Sequence, residues 1–295
     1  MRLLSSRNKS ILKMLRPWQW AKNLLIIVPL LLSNNLILEK LLNSVMLFIL
    51  FSLFVSGNYI MNDLNDVDLD KNHPEKRFRP IASGKVNKTT ALIISFFLFF
   101  SSSFLTYVYY EIEIIYLFFL YLGLATIYTK KLKFINLIDS LTISGLFLIR
   151  IIIGGVAAKV AITNYLYVFI LLASMFIVYL KKNSILNKDL LDNNSFHKVL
   201  KLQNHKFSFG KILYLLGTLV NISLILWGIN SLEFKSLSQI FAFFGYNIIF
   251  IYITFLLIKN SNKAKLEDFV FGILEDRSLF RLLITTFFLF IYFYF

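Results

Sequence analysis

Apolar runs of about 20 residues recur along the chain, separated by polar stretches that alternate between short and long. A helix needs about 20 mostly apolar residues to cross the hydrocarbon layer of a bilayer. By that measure nine spans are predicted, near residues 18–38, 44–61, 90–110, 112–129, 137–158, 163–180, 211–230, 236–258 and 279–295. Nine spans use roughly 180 residues and leave about 115 for loops and tails. The pattern therefore predicts an all-α, polytopic membrane protein, a bundle of about nine transmembrane helices forming one domain over residues 1–295. The run from Leu24 to Leu32 follows a basic tail, as a signal peptide would, but Ser33, Asn34 and Asn35 come next and no small-residue cleavage site does. It is read as a retained first helix, opened by Pro17 and bent at Pro29.

The long polar stretches follow the even-numbered spans and hold most of the charge. Of the 31 Lys and Arg, 27 lie in the tail to Lys22 and in residues 62–88, 130–133, 181–211 and 259–281. The short turns carry only Lys40, Lys159 and Lys235, and Arg150 lies inside a span. Basic residues mark the cytoplasmic side, so the N-terminus and all four long loops are expected there and the C-terminus outside. A chain that is 58% hydrophobic and only 16% charged exceeds what a soluble domain of this length buries, which excludes an ordinary cytosolic enzyme. The membrane also explains the net charge of +15 better than nucleic acid does. Cysteine is absent, which excludes disulfide frameworks, thiolate metal sites and cysteine nucleophiles.

Candidate chemistry is densest where the second span leaves the bilayer. In Asn62-Asp63-Leu64-Asn65-Asp66-Val67-Asp68-Leu69-Asp70, the residues Asn62, Asp66 and Asp70 fall at i, i+4 and i+8, one face of a continuing helix, with Asp63 beside them. Carboxylates so crowded repel one another without a cation, and hard oxygen donors select Mg²⁺. A solvated helix end balancing nearby bases is the bland alternative. The acids sit where basic residues should dominate and are spaced for one face, which favours a metal-phosphate site. The segment from His73 to Lys85 follows, stopped by Pro74 and turned at Gly84, and it carries Lys76, Arg77 and Arg79. Bases beside metal-binding acids suit a polyphosphate, since neither set alone neutralises it. His73 is read as a turn residue.

At these residues the chain resembles the UbiA superfamily of membrane prenyltransferases, whose first motif, N-D-x-x-D-x-x-x-D, is matched by Asn62, Asp63, Asp66 and Asp70. The continuation through His73, Pro74, Lys76, Arg77, Arg79, Pro80, Ile81, Ala82 and Gly84 is similar to the decaprenyl-phosphate phosphoribosyltransferase branch. Further similarities are Arg16-Pro17-Trp18-Gln19-Trp20-Ala21-Lys22-Asn23, Tyr128 to Leu132, Asp139 with Ser144-Gly145 and Arg150, Lys181-Lys182, and Asp268 with Asp276-Arg277. The aromatic prenyltransferases of the superfamily carry a second acidic motif at four-residue spacing. Here Asp139 stands between Ile135 and Ile143, which weakens the aromatic-acceptor reading.

The resemblance implies a Mg²⁺-dependent transferase of a bacterial cytoplasmic membrane with its site facing the cytoplasm. Phosphoribose would pass from 5-phosphoribosyl diphosphate to a polyprenyl phosphate, for cell-envelope glycan synthesis. Asn62, Asp63, Asp66 and Asp70 would hold metal, and Lys22, Lys76, Arg77, Arg79, Tyr128, Lys130, Lys131, Asp139, Arg150, Lys181, Lys182 and Arg277 would bind substrate. The residues alone leave alternatives open. Arg150, well inside its span and 11 residues after Asp139, must meet a carboxylate, carbonyls or a bound phosphate. For the adjacent Lys181 and Lys182 the default is snorkelling to anionic lipid headgroups, Asp276 suits a helix cap, and Gly154-Gly155 suits close helix packing more than ligand binding; the resemblance is what makes the lysines and Asp276 candidates. Two rival functions remain, transfer of a prenyl group from its diphosphate to an aromatic or other small acceptor and an anionic-solute transporter; the latter would place acids and broken helices near the midplane.

Overall fold

The computed structural model describes residues 6–33, 36–192, 209–266 and 269–294. These form helices and turns, with no strand among the described residues. In chain order the helices are α1 (Ser6–Leu15), a 3₁₀ segment (Pro17–Ile26), α2 (Val28–Leu31), α3 (Leu38–Asn65), α4 (Val67–Lys71), α5 (Lys88–Tyr109), α6 (Ile112–Lys130) and α7 (Asn136–Ala158). They continue as α8 (Asn164–Asp192), α9 (Phe209–Ser231), α10 (Leu237–Asn262), α11 (Phe269–Glu275) and α12 (Arg277–Tyr294). Two short 3₁₀ turns, Lys76–Phe78 and Leu132–Phe134, lie in the loops.

Eight of these helices (α3, α5 to α10 and α12) are long and apolar enough to cross a membrane, and they correspond to the second through ninth predicted spans. The predicted first span is not a continuous α-helix. Pro17 opens a 3₁₀ segment whose bonds run i to i−3, as in Gln19 N–H to the Arg16 carbonyl (2.9 Å) and Ile27 N–H to the Leu24 carbonyl (2.9 Å). Pro29 lacks an N–H and its ring would clash with the carbonyl of Leu25 in a continuing α-helix, so the short α2 starts afresh around it. The sixth span also exceeds its expected end at residue 180, because α8 runs on as a polar helix to Asp192.

Outward-facing Phe96, Phe97 and Phe100 on α5 are 61%, 66% and 72% exposed, and Phe241 on α10 is 73% exposed. Such rings are stable in hydrocarbon, and helices satisfy their own backbone groups there. The chain is an integral membrane protein.

The helices fall into two compact units. The first comprises residues 1–133 and 146–162, the second 134–145 and 163–295. In the first, α3 packs against α5 and α6 around Phe51, Phe54, Ile114, Phe118 and Tyr121. The Phe51 and Phe118 rings meet edge to face at 5.0 Å and 72°. Small buried residues Ala91, Ser95, Ser102 and Thr106 line one face of α5, and Gly57 on α3 lies against the Ser95 carbonyl, so the two backbones approach closely. The Ser95 hydroxyl donates to the Gly57 carbonyl at 2.9 Å. In the second unit, Phe176, Leu180, Leu213, Val220, Ile253 and Leu257 join α8, α9 and α10. A polar cluster closes one end of that core: Asn183 donates to Ser261 and Asn262, both at 2.9 Å, and the Ser184 hydroxyl accepts from the Leu266 N–H at 2.8 Å.

Candidate functional site

The acidic motif lies where α3 ends. Asp66 leaves helical geometry (φ −97°, ψ 7°), yet its N–H reaches the Asn62 carbonyl at 3.0 Å and the Asp70 N–H reaches the Asp66 carbonyl at 2.8 Å. The i to i−4 register thus carries through into α4, and Asn62, Asp66 and Asp70 keep one face as their spacing predicts. Asp63 and Asp70 are both 3% exposed, while Asn62 and Asp66 are half-buried.

The loop after α4 folds back beside this face. His73 shapes its start, its Nδ1 accepting the Glu75 and Lys76 N–H groups at 3.2 and 3.3 Å, which is the turn role expected of it. Burial, and then the neighbouring Lys76, hold its pKa below the usual value. Arg79 is extended, as a residue preceding proline prefers, and the Val86 N–H closes the loop on the Pro80 carbonyl at 3.0 Å. Gly84, at φ +73°, supplies the left-handed turn. This path brings the Arg79 guanidinium between the buried acids, where Nη1 donates to Asp63 Oδ1 at 3.0 Å and to Asp70 Oδ2 at 2.7 Å. A second guanidinium comes from the chain's start. Arg16, held at φ 53° between α1 and Pro17, donates from Nη2 to Asp63 Oδ1 and lies over the Tyr59 ring at 5.3 Å.

The motif is therefore divided by its partners. Asp63 and Asp70 are tied to arginines, whereas the side chains of Asn62 and Asp66 make no hydrogen bond or ion pair with described residues. Among the described residues no three acidic or histidine side chains converge for a metal. Mg²⁺ is commonly held by one or two carboxylates with phosphate and water completing the shell. The two unpartnered oxygen donors, with the second oxygen of Asp70, fit such an ion.

The other expected site residues are scattered in environment. Lys22 is exposed and donates to Gln19 at 2.6 Å. Lys76 and Arg77 are exposed on the loop, with Arg77 over the Phe78 ring at 4.8 Å. Tyr128, Lys130 and Lys131 mark the end of α6, the two lysines exposed. Arg150 is 3% exposed and meets no carboxylate among the described residues; it donates to Asn23 Oδ1 (2.8 Å), the Leu146 carbonyl (2.5 Å) and the Tyr121 hydroxyl (2.9 Å). In the second unit, Asp139 on the first turn of α7 is 5% exposed and ion-paired with Lys182 of α8, its Oδ1 buried without a protein partner. Lys181 and Arg277 are exposed. Asp276 does cap α12, accepting the Ser278 and Leu279 N–H groups at 3.0 and 3.2 Å. Asp268 lies outside the described residues. Gly154 serves close packing, since a Cβ there would overlap the Ile26 carbonyl.

Reasoning from the sequence noted Arg16 and Asn23 only as part of a stretch similar to the family, gave them no role in the site, and passed over Ser52 and Ser56. The signal was a polar stripe in an apolar span, with Ser52, Ser56, Tyr59 and Asp63 at steps of four, three and four on α3.

Comparison with known proteins supplies the family. The model of the UbiA prenyltransferase family matches residues 24–273. The decaprenyl-phosphate phosphoribosyltransferase of Mycobacterium tuberculosis is 32% identical over 177 residues, 57% of this chain and 57% of that protein. The protein of the same name from Corynebacterium glutamicum is 28% identical over 226 residues, 75% of this chain and 67% of that one. The chain thus spans little more than half the length of the mycobacterial relative. Among solved structures, one of a digeranylgeranylglyceryl phosphate synthase has a TM-score of 0.63 at 20% identity, covering 96% of this chain and 99% of that one. A UbiA homologue from Archaeoglobus fulgidus, bound to GPP and Mg²⁺, has a TM-score of 0.60 at 16% identity and covers 96% of this chain and 97% of that one. With the motif, the helical fold and a family match over most of its length in agreement, the chain belongs to the UbiA prenyltransferase family.

Proposed function

We propose that the protein is a membrane phosphoribosyltransferase that moves phosphoribose from 5-phosphoribosyl diphosphate to a polyprenyl phosphate, acting on the cytoplasmic face of a bacterial inner membrane. The observation that carries this reading is the arginine-bridged acid pair, Asp63 and Asp70 on Arg79, beside the unpartnered Asn62 and Asp66. Acids that bind a cation and guanidiniums that bind phosphate oxygens then lie on the same loop and helix end, the pairing that a diphosphate requires. Asn62, Asp66 and Asp70 would hold Mg²⁺, and the bound ion would neutralise the negative charge of the diphosphate leaving group.

Arg79, Arg77 and Lys76 bind the remaining phosphate oxygens and orient the donor. An oxygen of the lipid phosphate forms the new bond to the anomeric carbon as the bond to diphosphate breaks, a displacement that needs positioning and charge neutralisation more than a protein nucleophile. The choice of a sugar donor is supported by the names of the similar actinobacterial proteins and by Asp139, which is paired with Lys182 rather than with a second acid. A second reading, transfer of a prenyl group from its diphosphate, is favoured by the family's description and uses the same diphosphate residues.

Purified full chain with Mg²⁺, supplied with each donor and acceptor pair, separates the two by diphosphate release and lipid product mass. Release with phosphoribosyl diphosphate and polyprenyl phosphate, and none with prenyl diphosphate and 4-hydroxybenzoate, is the expected result. The reverse pattern removes the phosphoribosyl reading and leaves only diphosphate-dependent prenyl transfer.

A further inference from the structure

A polar ladder runs along α3 and ends at the acidic site. The N-terminal 3₁₀ segment and Arg16, which precedes it, run antiparallel to the stripe Ser52, Ser56, Tyr59, Asp63 and together meet each rung. Asn23 Nδ2 donates to Ser52 Oγ at 3.0 Å, and Trp20 Nε1 donates to Ser56 Oγ at 3.0 Å. The Ser56 hydroxyl in turn donates to the Leu15 carbonyl at 2.8 Å, and Arg16 lies over Tyr59 and donates to Asp63. Arg150 stands at the buried end, on Asn23.

We propose that Arg150 is a positioning residue, the anchor of a ladder that seats Arg16 on Asp63, and that it makes no contact with substrate. Nε, Nη1 and Nη2 each already donate to a protein oxygen, and the rings of Tyr121, Phe147 and Phe51 lie 4.9, 5.3 and 5.8 Å from its Cζ, so little of the guanidinium is open to a ligand. Burying it without a carboxylate is costly. What it does there is fix the Asn23 amide: with Oδ1 held by Arg150, Nδ2 must point at Ser52, because the reversed amide would set its own N–H groups against the guanidinium. That sets the register of the 3₁₀ segment. Arg16 needs such a constraint, since the left-handed conformation costs a residue with a Cβ about 1 to 2 kcal/mol and persists only where its surroundings over-determine it.

The proposal rests on the reading of the acidic motif as a magnesium-diphosphate site, and a binding measurement tests both. The full chain in detergent is titrated with inorganic diphosphate in the presence of MgCl₂, by calorimetry. Arg150→Gln, Asn23→Ala and Arg16→Gln should each weaken binding by about tenfold, the scale seen when residues behind a metal site are lost. The Arg16→Gln/Arg150→Gln double variant should be no weaker than either single, because both remove one coupled element. Asn23→Asp, which keeps the acceptor for Arg150 and loses the donor to Ser52, should fall between Asn23→Ala and wild type. Phe118→Leu, in the core of the same unit, should lower thermal stability and leave the affinity alone. If Arg150→Gln does not fold, Ser56→Ala breaks the ladder at its middle with Arg150 in place and carries the same expectation. Wild-type affinity in the folded ladder variants, losses that multiply in the double variant, or an equal loss in Phe118→Leu each overturn the proposal while the metal-diphosphate reading stands. If the wild-type chain binds no magnesium diphosphate, that reading falls and the proposal falls with it.

Discussion

Asp63 and Asp70 are each 3% exposed, and a carboxylate that deep in protein is tolerated only with a cation beside it. Asp66 sits between them in sequence, half-buried and without a partner, so neighbouring acids of one motif are under opposite constraints. Arg79→Met leaves two buried carboxylates with one guanidinium between them. Because Arg79 is itself 27% exposed, the loss is set below the fully buried range, on the order of 2 to 3 kcal/mol, and is read as a lower unfolding temperature in detergent. Asp66→Asn removes no contact in the protein, so its stability should stay within about 0.5 kcal/mol of wild type while magnesium-dependent diphosphate release falls by at least about tenfold. Wild-type turnover in Asp66→Asn would remove that residue from the metal site. The four-residue spacing was legible in the sequence, and so was the seven-residue spacing of Asp63 and Asp70, two turns apart on one face. That Arg79 would bridge this pair was not legible, since the path of the loop from His73 to Pro80 decides it.

At the scale of elements, the N-terminal segment departs most from its pattern. A row of apolar residues predicts a helix there, but Pro29 interrupts the α ladder, and a 3₁₀ segment with a rise of about 2.0 Å per residue gives ten residues a reach of about 20 Å. Gly154 of α7 lets that segment lie close. Its missing Cβ is where the Ile26 carbonyl sits, and a backbone atom cannot rotate away. Gly154→Ala should therefore cost about 1 to 3 kcal/mol, whereas Gly123→Ala, with nothing within 4 Å of the new methyl group, should cost nothing. Equal melting temperatures for the two variants would refute the close contact. The start of α12 gives a pH-dependent counterpart. Hydrogen bonds from Ser278 and then Asn260 hold the Asp276 carboxyl at about 2, below its unfolded value of about 4. A depressed pKa means that this stabilisation is complete above about pH 4 and drains away as pH falls toward 2. Melting curves of Asp276→Ala between pH 2 and 5 should be flatter than those of wild type by this contribution, and unchanged slopes would dismiss it.

For the molecule as a whole, eight apolar helices and the crowding of 27 basic residues into alternate loops argue for one orientation. Because the chain has no cysteine, single-cysteine variants report accessibility without background. Ser83→Cys, exposed in the loop after the acidic motif, should react with an impermeant maleimide only when the cytoplasmic side is opened. Glu233→Cys, exposed between α9 and α10, should react in intact cells. Labelling with the two sides exchanged would place the acidic motif away from cytosolic phosphoribosyl diphosphate.

The sequence by itself determined the helical class, eight of the nine predicted spans and the acidic motif. Each of these follows from local rules, the length of an apolar run or the 3.6-residue period that sets side chains on one face. Only the tertiary structure decided which partner each charge meets. Arg150 shares a helix with Asp139, yet it bonds to Asn23, Leu146 and Tyr121, while Asp139 is paired with Lys182. Arg16 reaches Asp63 across 47 positions of sequence through a turn that no apolar pattern encodes. A charge in a membrane protein is settled by whichever polar atoms the packed helices bring within about 3 Å, and that proximity is a property of packing, not of spacing along the chain.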